Sequence, residues 1–290
     1  MRRFGIFLLV FAVIVGIGTM PPMHKTAHAA QSGSWSTGDC KDDEGNTHNH
    51  WGWSHQERVC QLRTTIIPPT GNHIGINTFN GGIEIKGEDR SDIAIEARVT
   101  AWADSIADAR DILQRVQIDT PGGNIHDSGP QFHFGNKGYE VNYRVLVPRR
   151  LSVDLKTMNG GIDIAHLDGK IRFDTTNGGV SLEDLAGDVH GQTVNGGLDV
   201  ALSGDRWQGT GLDVTTTNGG VSLKIPDRYA AHLETGTVNG GIQIDFPVTI
   251  QGSIKNRLST DIGGGGPTIR AETTNGGVEV NHGEAGSASI

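Results

Sequence analysis

"TTNGGVSL", residues 175–182, decides the fold, because the same sentence recurs along the chain as "TFNGGIEI", "TMNGGIDI", "TVNGGLDV", "TTNGGVSL" again, "TVNGGIQI" and "TTNGGVEV". The seven copies align on Asn80, Asn159, Asn177, Asn195, Asn218, Asn239 and Asn275. Thr stands two positions before each Asn, two Gly follow it, and aliphatic residues stand three and five positions after it. From Asn159 to Asn239 the spacings are 18, 18, 23 and 21 residues. A constant motif at such a period marks a solenoid, propeller or array. Period-two alternation around it means strands. A unit of two short strands is too thin to bury its own apolar face, and stacked units bury each other's.

Each residue of the motif then has a physical role. In a stack, equivalent residues of adjacent rungs lie about 4.8 Å apart. An Asn amide carries both donors and an acceptor, so identical Asn side chains can bond rung to rung as a ladder. Thr is β-branched and can bond along the same line. The glycines allow a sharp bend and close backbone approach. The aliphatics point inward, each contributing about 1.5–3 kcal/mol when fully buried. Seven hairpins in a meander would also use Asn-Gly, but that alternative leaves the constant Thr and second Gly unexplained. A left-handed hexapeptide coil needs a six-residue sub-period that is absent. Asn239 to Asn275 is 36 residues, twice 18, as if one rung kept its length and lost its motif, with "DIGGGGPTI" as a degenerate corner.

The fold class expected is all-β, a right-handed single-stranded parallel β-helix (β-solenoid) over residues 73–283, with one short capping helix near 104–116. "DSIADARDILQRV" places Ile106, Ala109, Leu113 and Val116 on one helical face, with Asp104 or Ser105 as N-cap. That helix is expected to lie over the first coils. Residues 30–72 read as a disulfide-tied N-terminal segment and linker, and 284–290 as a flexible tail.

Arg2 and Arg3 precede an apolar run from Phe4 to Gly18, and "AHAA" follows at 27–30. This is the pattern of a secretory signal peptide over 1–29; the run is short for a membrane anchor, and no Cys at the cleavage point suggests a lipoprotein. The expected locations are the periplasm, the cell surface or the extracellular space. Removing the signal takes away Arg2, Arg3 and Lys25 and no acid, leaving 21 bases against 33 acids, a net charge of −12. That balance disfavours nucleic acid and anionic membrane as partners, and no later segment is apolar enough for a membrane span.

Cys40 and Cys60 are the only cysteines. An exported chain meets an oxidising compartment, so a disulfide between them is expected. The intervening loop holds His48, His50 and His55, and a Cys/His metal site is the alternative, although its spacing matches no zinc module. Trp51 and Trp53 in the same loop make a candidate aromatic contact surface.

The corners, the helix after a strand-rich start, "VPRRLSVDLKTMNGGIDI" and "IGGGGPTIRAETTNGGVEV" resemble the bacterial putative-adhesin family over residues 73–282. Its members are exported β-strand-repeat proteins carrying a domain of unknown function. The resemblance implies a right-handed β-helix and supplies no catalytic residues.

Catalytic signals are weak. Four positions after Asn the row reads Glu84, Asp163, Ser181, Asp199, Ser222, Gln243, Glu279: an acidic row that polysaccharide-cleaving β-helices could use, or a solvated face that keeps the coil soluble. G-x-S-x-G and H-E-x-x-H are absent, as are calcium-binding nonapeptides, so no cofactor or metal is expected. Asp205, Arg206 and Trp207, "DRW", form a candidate sugar contact. In the parallel "DRY", Tyr229 aligns with Leu151 and reads as core. The row before each Asn (Phe79, Met158, Thr176, Val194, Thr217, Val238, Thr274) is a Thr and apolar stripe if it faces out. Charges in the next row (Lys156, Asp174, Glu272) spoil it as an ice-binding face, and it fits a partner-binding patch better. The leading expectation is a non-enzymatic, adhesin-like envelope or extracellular protein that binds or scaffolds through its repetitive surface, with a surface glycan, matrix polymer or envelope protein as partner. The alternatives are a polysaccharide-active enzyme and a regulatory partner of an envelope-stress system, which leaves no mark on the chain.

Overall fold

A computed structural model describes residues 34–40, 56–132, 136–245 and 256–283. The expected signal peptide, the loop histidines, Trp51, Trp53 and the tail 284–290 lie outside the described residues. Cys40 and Cys60 are joined by a disulfide.

Each motif copy is the corner between two strands. The Asn177 rung, for example, is Asp168–Asn177 followed by Val180–Glu183, and the Asn195 rung is Ala186–Asn195 followed by Leu198–Ala201. Pre-corner strands of all seven rungs lie side by side in a ten-stranded sheet, and post-corner strands in an eleven-stranded sheet. Rung pairs with rung in parallel and in register, Thr175 with Thr193 and Asn177 with Asn195. Parallel pairing excludes the hairpin meander, whose neighbours run antiparallel.

The two sheets face each other over one continuous core. Ile162, Ile164, Val180, Leu182, Leu198 and Val200 supply one side, and Val153, Leu155, Ile171, Phe173, Leu212 and Val214 the other, all buried. Gly191 breaks the inward row. A Cβ there would stand 2.4 Å from the Phe173 ring, so the ring of one rung fills the space the next leaves.

The rung order corrects the sequence reading of the last 50 residues. In space the rungs run Asn80, Asn159, Asn177, Asn195, Asn218, Asn275, Asn239. Thr268–Asn275 pairs in parallel with Gly209–Asn218 on one side and with Ala231–Asn239 on the other. Among the described residues no rung has lost its motif. The extra length lets the chain lay down the Asn239 rung one place too far, cover its outer edge with the antiparallel strand Arg257–Ile262, and return through Gly263–Gly266 to fill the gap. "DIGGGGPTI" is therefore a turn between strands and not a degenerate corner.

At the other end the stack is closed by antiparallel strands. Gly138–Pro148 pairs in parallel with the Asn80 rung, and Ile93–Ala103 and Glu57–Ile67 continue that sheet antiparallel. Glu57–Ile67 pairs along its full length, so this part of the expected linker is integral sheet. The helix is Ile106–Arg115, capped by Ser105, whose Oγ accepts from the Asp108 N–H at 3.1 Å. It packs on Ala101 and Ala103 through Ala109 and Ile112, over the antiparallel strands beyond the first coil. Ile112 is buried and Ile106 is 45% exposed. The face is rotated from the expected one because the small alanines admit Ile112. Arg63 donates to the Leu113 and Val116 carbonyls at 2.9 and 2.7 Å, satisfying the helix C-terminus.

Candidate functional site

The corners carry two ladders. Asn side chains bond rung to rung, each Nδ2 donating to the neighbouring Oδ1 at 2.7–2.9 Å, from Asn239 through Asn275, Asn218, Asn195, Asn177 and Asn159 to Asn80. Asn80 ends the line by donating to the Tyr139 carbonyl at 3.5 Å. The Thr side chains point inward and are buried. Except at Thr78, whose hydroxyl donates to the Asn80 carbonyl at 3.3 Å, their hydroxyls donate to the first-glycine carbonyl of the adjacent rung, as in Thr175 to Gly160 and Thr193 to Gly178 at 2.9 and 2.8 Å. Thr therefore ties side chain to backbone across rungs and does not bond to Thr.

The two glycines are not equivalent. A Cβ on Gly178 would stand 2.0 Å from the Gly160 carbonyl oxygen, and one on Gly196 2.0 Å from that of Gly178. Rungs cannot stack unless this position is bare. At the second glycine a Cβ meets ordinary contacts, 3.7 Å at Gly179 and 3.5 Å at Gly197.

A second stacked corner escaped the sequence reading. His166 and Asp184 both adopt positive φ, 57° and 49°, which is uncommon outside glycine. His166 Nδ1 pairs with Asp184 Oδ2 at 2.8 Å, and the Ser203 hydroxyl donates to the other carboxylate oxygen. The signal was the 18-residue register of "AHLDG" with "EDLAG". Asp184 stands between the other two, so the order is not that of a nucleophile–base–acid relay.

The outer face of the pre-corner sheet carries the charged groups. One row reads Asp154, Arg172, His190, Asp213, Arg270 across adjacent rungs, and the next Lys156, Asp174, Gln192, Thr215, Glu272. The first four members of each row line a shallow groove of about 420 Å³ with Phe173 and Gly191. Arg172 donates to the Asp188 carboxylate at 2.9 Å and to its carbonyl at 3.0 Å, while His190 Nε2 meets the other carboxylate oxygen at 2.8 Å. The Arg172 guanidinium holds the Asp188 carboxyl below the usual carboxylate range. Further along, Arg270 pairs with Glu272 at 2.9 Å and approaches Asp213 and Glu234 at 4.0 and 3.9 Å. Lys156 lines the groove in register with Asp174. These rows were visible by aligning columns before each Asn, but their residue types vary from rung to rung.

The acidic row lies on the outer face of the other sheet. Asp163 is in register with Glu84 and Ser181, and Asp199 with Ser181 and Ser222. Glu84 pairs with Arg144 at 3.3 Å. Partial burial, then the Glu84 charge, pushes the Asp163 carboxyl up. The row does not line the groove.

The "DRW" reading is corrected. Trp207 is 3% exposed, with its indole N–H donating to the Gly187 carbonyl at 3.0 Å. The ring is part of the core and cannot stack on a sugar. Arg206 and Asp205 remain exposed beside each other at 3.5 Å, without the aromatic platform. Tyr229 is buried. The row before each Asn faces outward, with Phe79 and Val238 59% and 64% exposed and Met158 43%. Among the described residues no cluster of three or more His, Cys, Asp or Glu could hold a metal ion, and no helix is long and apolar enough to cross a membrane.

Residues 114–281, covering the stacked rungs from Asn159 to Asn275 but not the Asn80 rung, match the family described as Toastrack DUF4097. The chain belongs to that family. Three solved structures are similar to this Toastrack chain: a putative cell adhesion protein from Clostridium sporogenes ATCC 15579 at 11% identity, covering 77% of this chain and 99% of that one with a TM-score of 0.42; a putative adhesin from Bacteroides fragilis NCTC 9343 at 14%, 76% and 96% with 0.34; and a putative lipid binding protein from Parabacteroides distasonis ATCC 8503 at 9%, 76% and 96% with 0.27. No curated protein sequence matches the chain.

Proposed function

We propose that the protein is a non-enzymatic, adhesin-like binding protein that holds a polar polymer, such as a surface glycan or matrix polysaccharide, along the outer face of the pre-corner sheet. The observation that carries this is the groove, where two in-register rows of charged and amide side chains repeat at the rung spacing. A polymer can engage successive rungs, and weak contacts then act together. Lys156 supplies the cation, Asp154 and Asp174 the acceptors, and the hydrogen-bonded Arg172–Asp188–His190 group one wall. The protein acts after export, a reading supported by the Cys40–Cys60 disulfide. The coil is right-handed, following the rule for a strand, crossover and parallel strand.

One observation favours a second reading. Asp163 is held above the ordinary carboxylate range beside Glu84, itself ion-paired to Arg144, and glycoside cleavage uses a protonated and an ionised carboxyl together. One experiment separates the two: a polysaccharide panel assayed for binding and for released product with residues 31–290, the Lys156→Ala/Asp174→Ala variant and Asp163→Ala. Binding without product, lost in the double variant, supports the proposal. Product release abolished by Asp163→Ala overturns it in favour of cleavage. Binding unchanged in the double variant removes the groove from the account.

A further inference from the structure

The Asn275 rung reaches its place by an unusual route. It follows the Asn239 rung in the chain but sits beneath it, between Asn218 and Asn239. Its contacts on both sides are complete. Asn275 Nδ2 donates to Asn218 at 2.8 Å and receives Asn239 Nδ2 at 2.7 Å. Thr273 donates to the Gly219 carbonyl and Thr237 to that of Gly276, each at 2.8 Å. Ile269, Ala271, Val278 and Val280 are fully buried. Withdrawn, this rung leaves a slot one rung high, with paired edges exposed on both faces.

The slot is selective. It needs an Asn that both accepts from Asn239 and donates to Asn218, and a Thr to donate to Gly219. It also needs a bare residue at the corner, because a Cβ on Gly276 would stand 2.1 Å from the Gly219 carbonyl oxygen. The occupant is therefore a T-x-N-G strand followed by inward aliphatics. The rung is attached through Gly263, Gly264, Gly265 and Gly266, all at positive φ between 56° and 151°, and then Pro267. Ordering four such glycines costs more backbone entropy than any other residue type would. Fully extended, these five residues reach roughly 17 Å.

We propose that the rung Thr268–Gly283 is exchanged between two copies of this chain, each inserting it into the other's slot to form a closed dimer. Every contact of the inserted rung is the same in its own chain and in a partner, so exchange costs association entropy and returns the freedom of the glycine turn. Such exchange of an identical element is a low-cost route to dimers. The partner is a second copy because it carries, by identity, the strand this slot is shaped for: within this chain a T-x-N-G strand follows a run of four glycines only at the final rung.

The test uses full mature chains with Cys40 and Cys60 intact. Thr217 and Thr274 are exposed neighbours in adjacent, in-register strands, at about the 4.8 Å strand spacing, inside the range a disulfide spans. Differently tagged Thr217→Cys and Thr274→Cys chains are unfolded, mixed, refolded and oxidised. The expected product is a covalent heterodimer whose linking peptide joins positions 217 and 274, with the dimer-to-monomer ratio rising in proportion to monomer concentration during refolding. Deleting Gly264 and Gly265 should raise that ratio, since a shortened hinge favours exchange, and inserting six Gly/Ser residues should lower it. A chain carrying both cysteines controls for geometry by closing its own bridge in the monomer. Monomer at all concentrations with that bridge closed, or a dimer linked anywhere else, overturns exchange. Failure of the control bridge overturns it as well, because the rungs would not be adjacent.

Discussion

Replacing the first or the second glycine of one corner should have opposite consequences. In Gly196→Ala the new methyl stands 2.0 Å from the Gly178 carbonyl oxygen, 2.4 Å from its carbon and 2.8 Å from the Gly179 nitrogen. These are backbone atoms held by strand pairing on both sides, so no side chain can swing away. Relief requires the rungs to part by about an ångström at the corner, stretching the Asn195–Asn177 and Thr193–Gly178 bonds of 2.9 and 2.8 Å. Overpacking against a rigid neighbour costs about 1–3 kcal/mol or more, and this contact belongs at the upper end. In Gly197→Ala the methyl meets only the Gly220 oxygen at 3.5 Å, and φ there is outside the left-handed region. That variant should be neutral or gain about 0.4–1 kcal/mol from the reduced freedom of the unfolded chain. The difference of about 3 kcal/mol corresponds to thermal midpoints roughly 6–12 °C apart for a domain of this size. The assay is thermal unfolding of both variants beside the parent chain. Equal losses in the two would refute the claim that carbonyl-to-corner stacking, and not bending alone, is what the first glycine serves.

Asn195→Ala removes the bonds to Asn177 and from Asn218 and should destabilise by about 1–3 kcal/mol, whereas Asp199→Ala, an exposed position on the opposite sheet, should change the midpoint little; matching losses would contradict the ladder. Loss of the Cys40–Cys60 bridge, which spans 20 residues, should cost about 3 kcal/mol, and mass spectrometry with and without reductant should show one disulfide; two free thiols with stoichiometric zinc would sink that assignment. Burial pushes the Asp127 carboxyl up, against the lowering effect of its hydrogen bonds to Thr78 and Tyr143. A carboxyl whose folded pKa is raised weakens the fold as pH rises from its unfolded pKa through its folded one. Asp127→Asn should therefore raise the midpoint at pH 7 and leave it unchanged near pH 3, and a pH-independent effect would exclude this cause.

The corner was legible because its requirements are local and repeated. A bare first glycine, a buried Thr and a laddered Asn are needed at every rung, so they recur at fixed offsets. The position of the Asn275 rung was not legible. Parallel register is identical whichever neighbour a rung takes, and a 36-residue spacing suits a lost rung as well as a skipped place. Glu57–Ile67 read as linker because Arg63 and Gln61 interrupt its apolar face, and Arg63 is there to serve the helix C-terminus. Trp207 next to Arg206 and Asp205 suggested a sugar contact, but its burial depends on Gly187, 20 residues away. The groove side chains vary in type from rung to rung, so the periodicity that exposes the core hides them.

The central claim is that seven copies of one corner stack in a single line, with Asn275 between Asn218 and Asn239. Scalar couplings across the side-chain hydrogen bonds, measured by NMR on isotope-labelled protein, test it directly. The account predicts couplings from Asn275 Nδ2 to the Asn218 carboxamide carbon and from Asn239 Nδ2 to that of Asn275. A coupling running directly between Asn239 and Asn218 would contradict it.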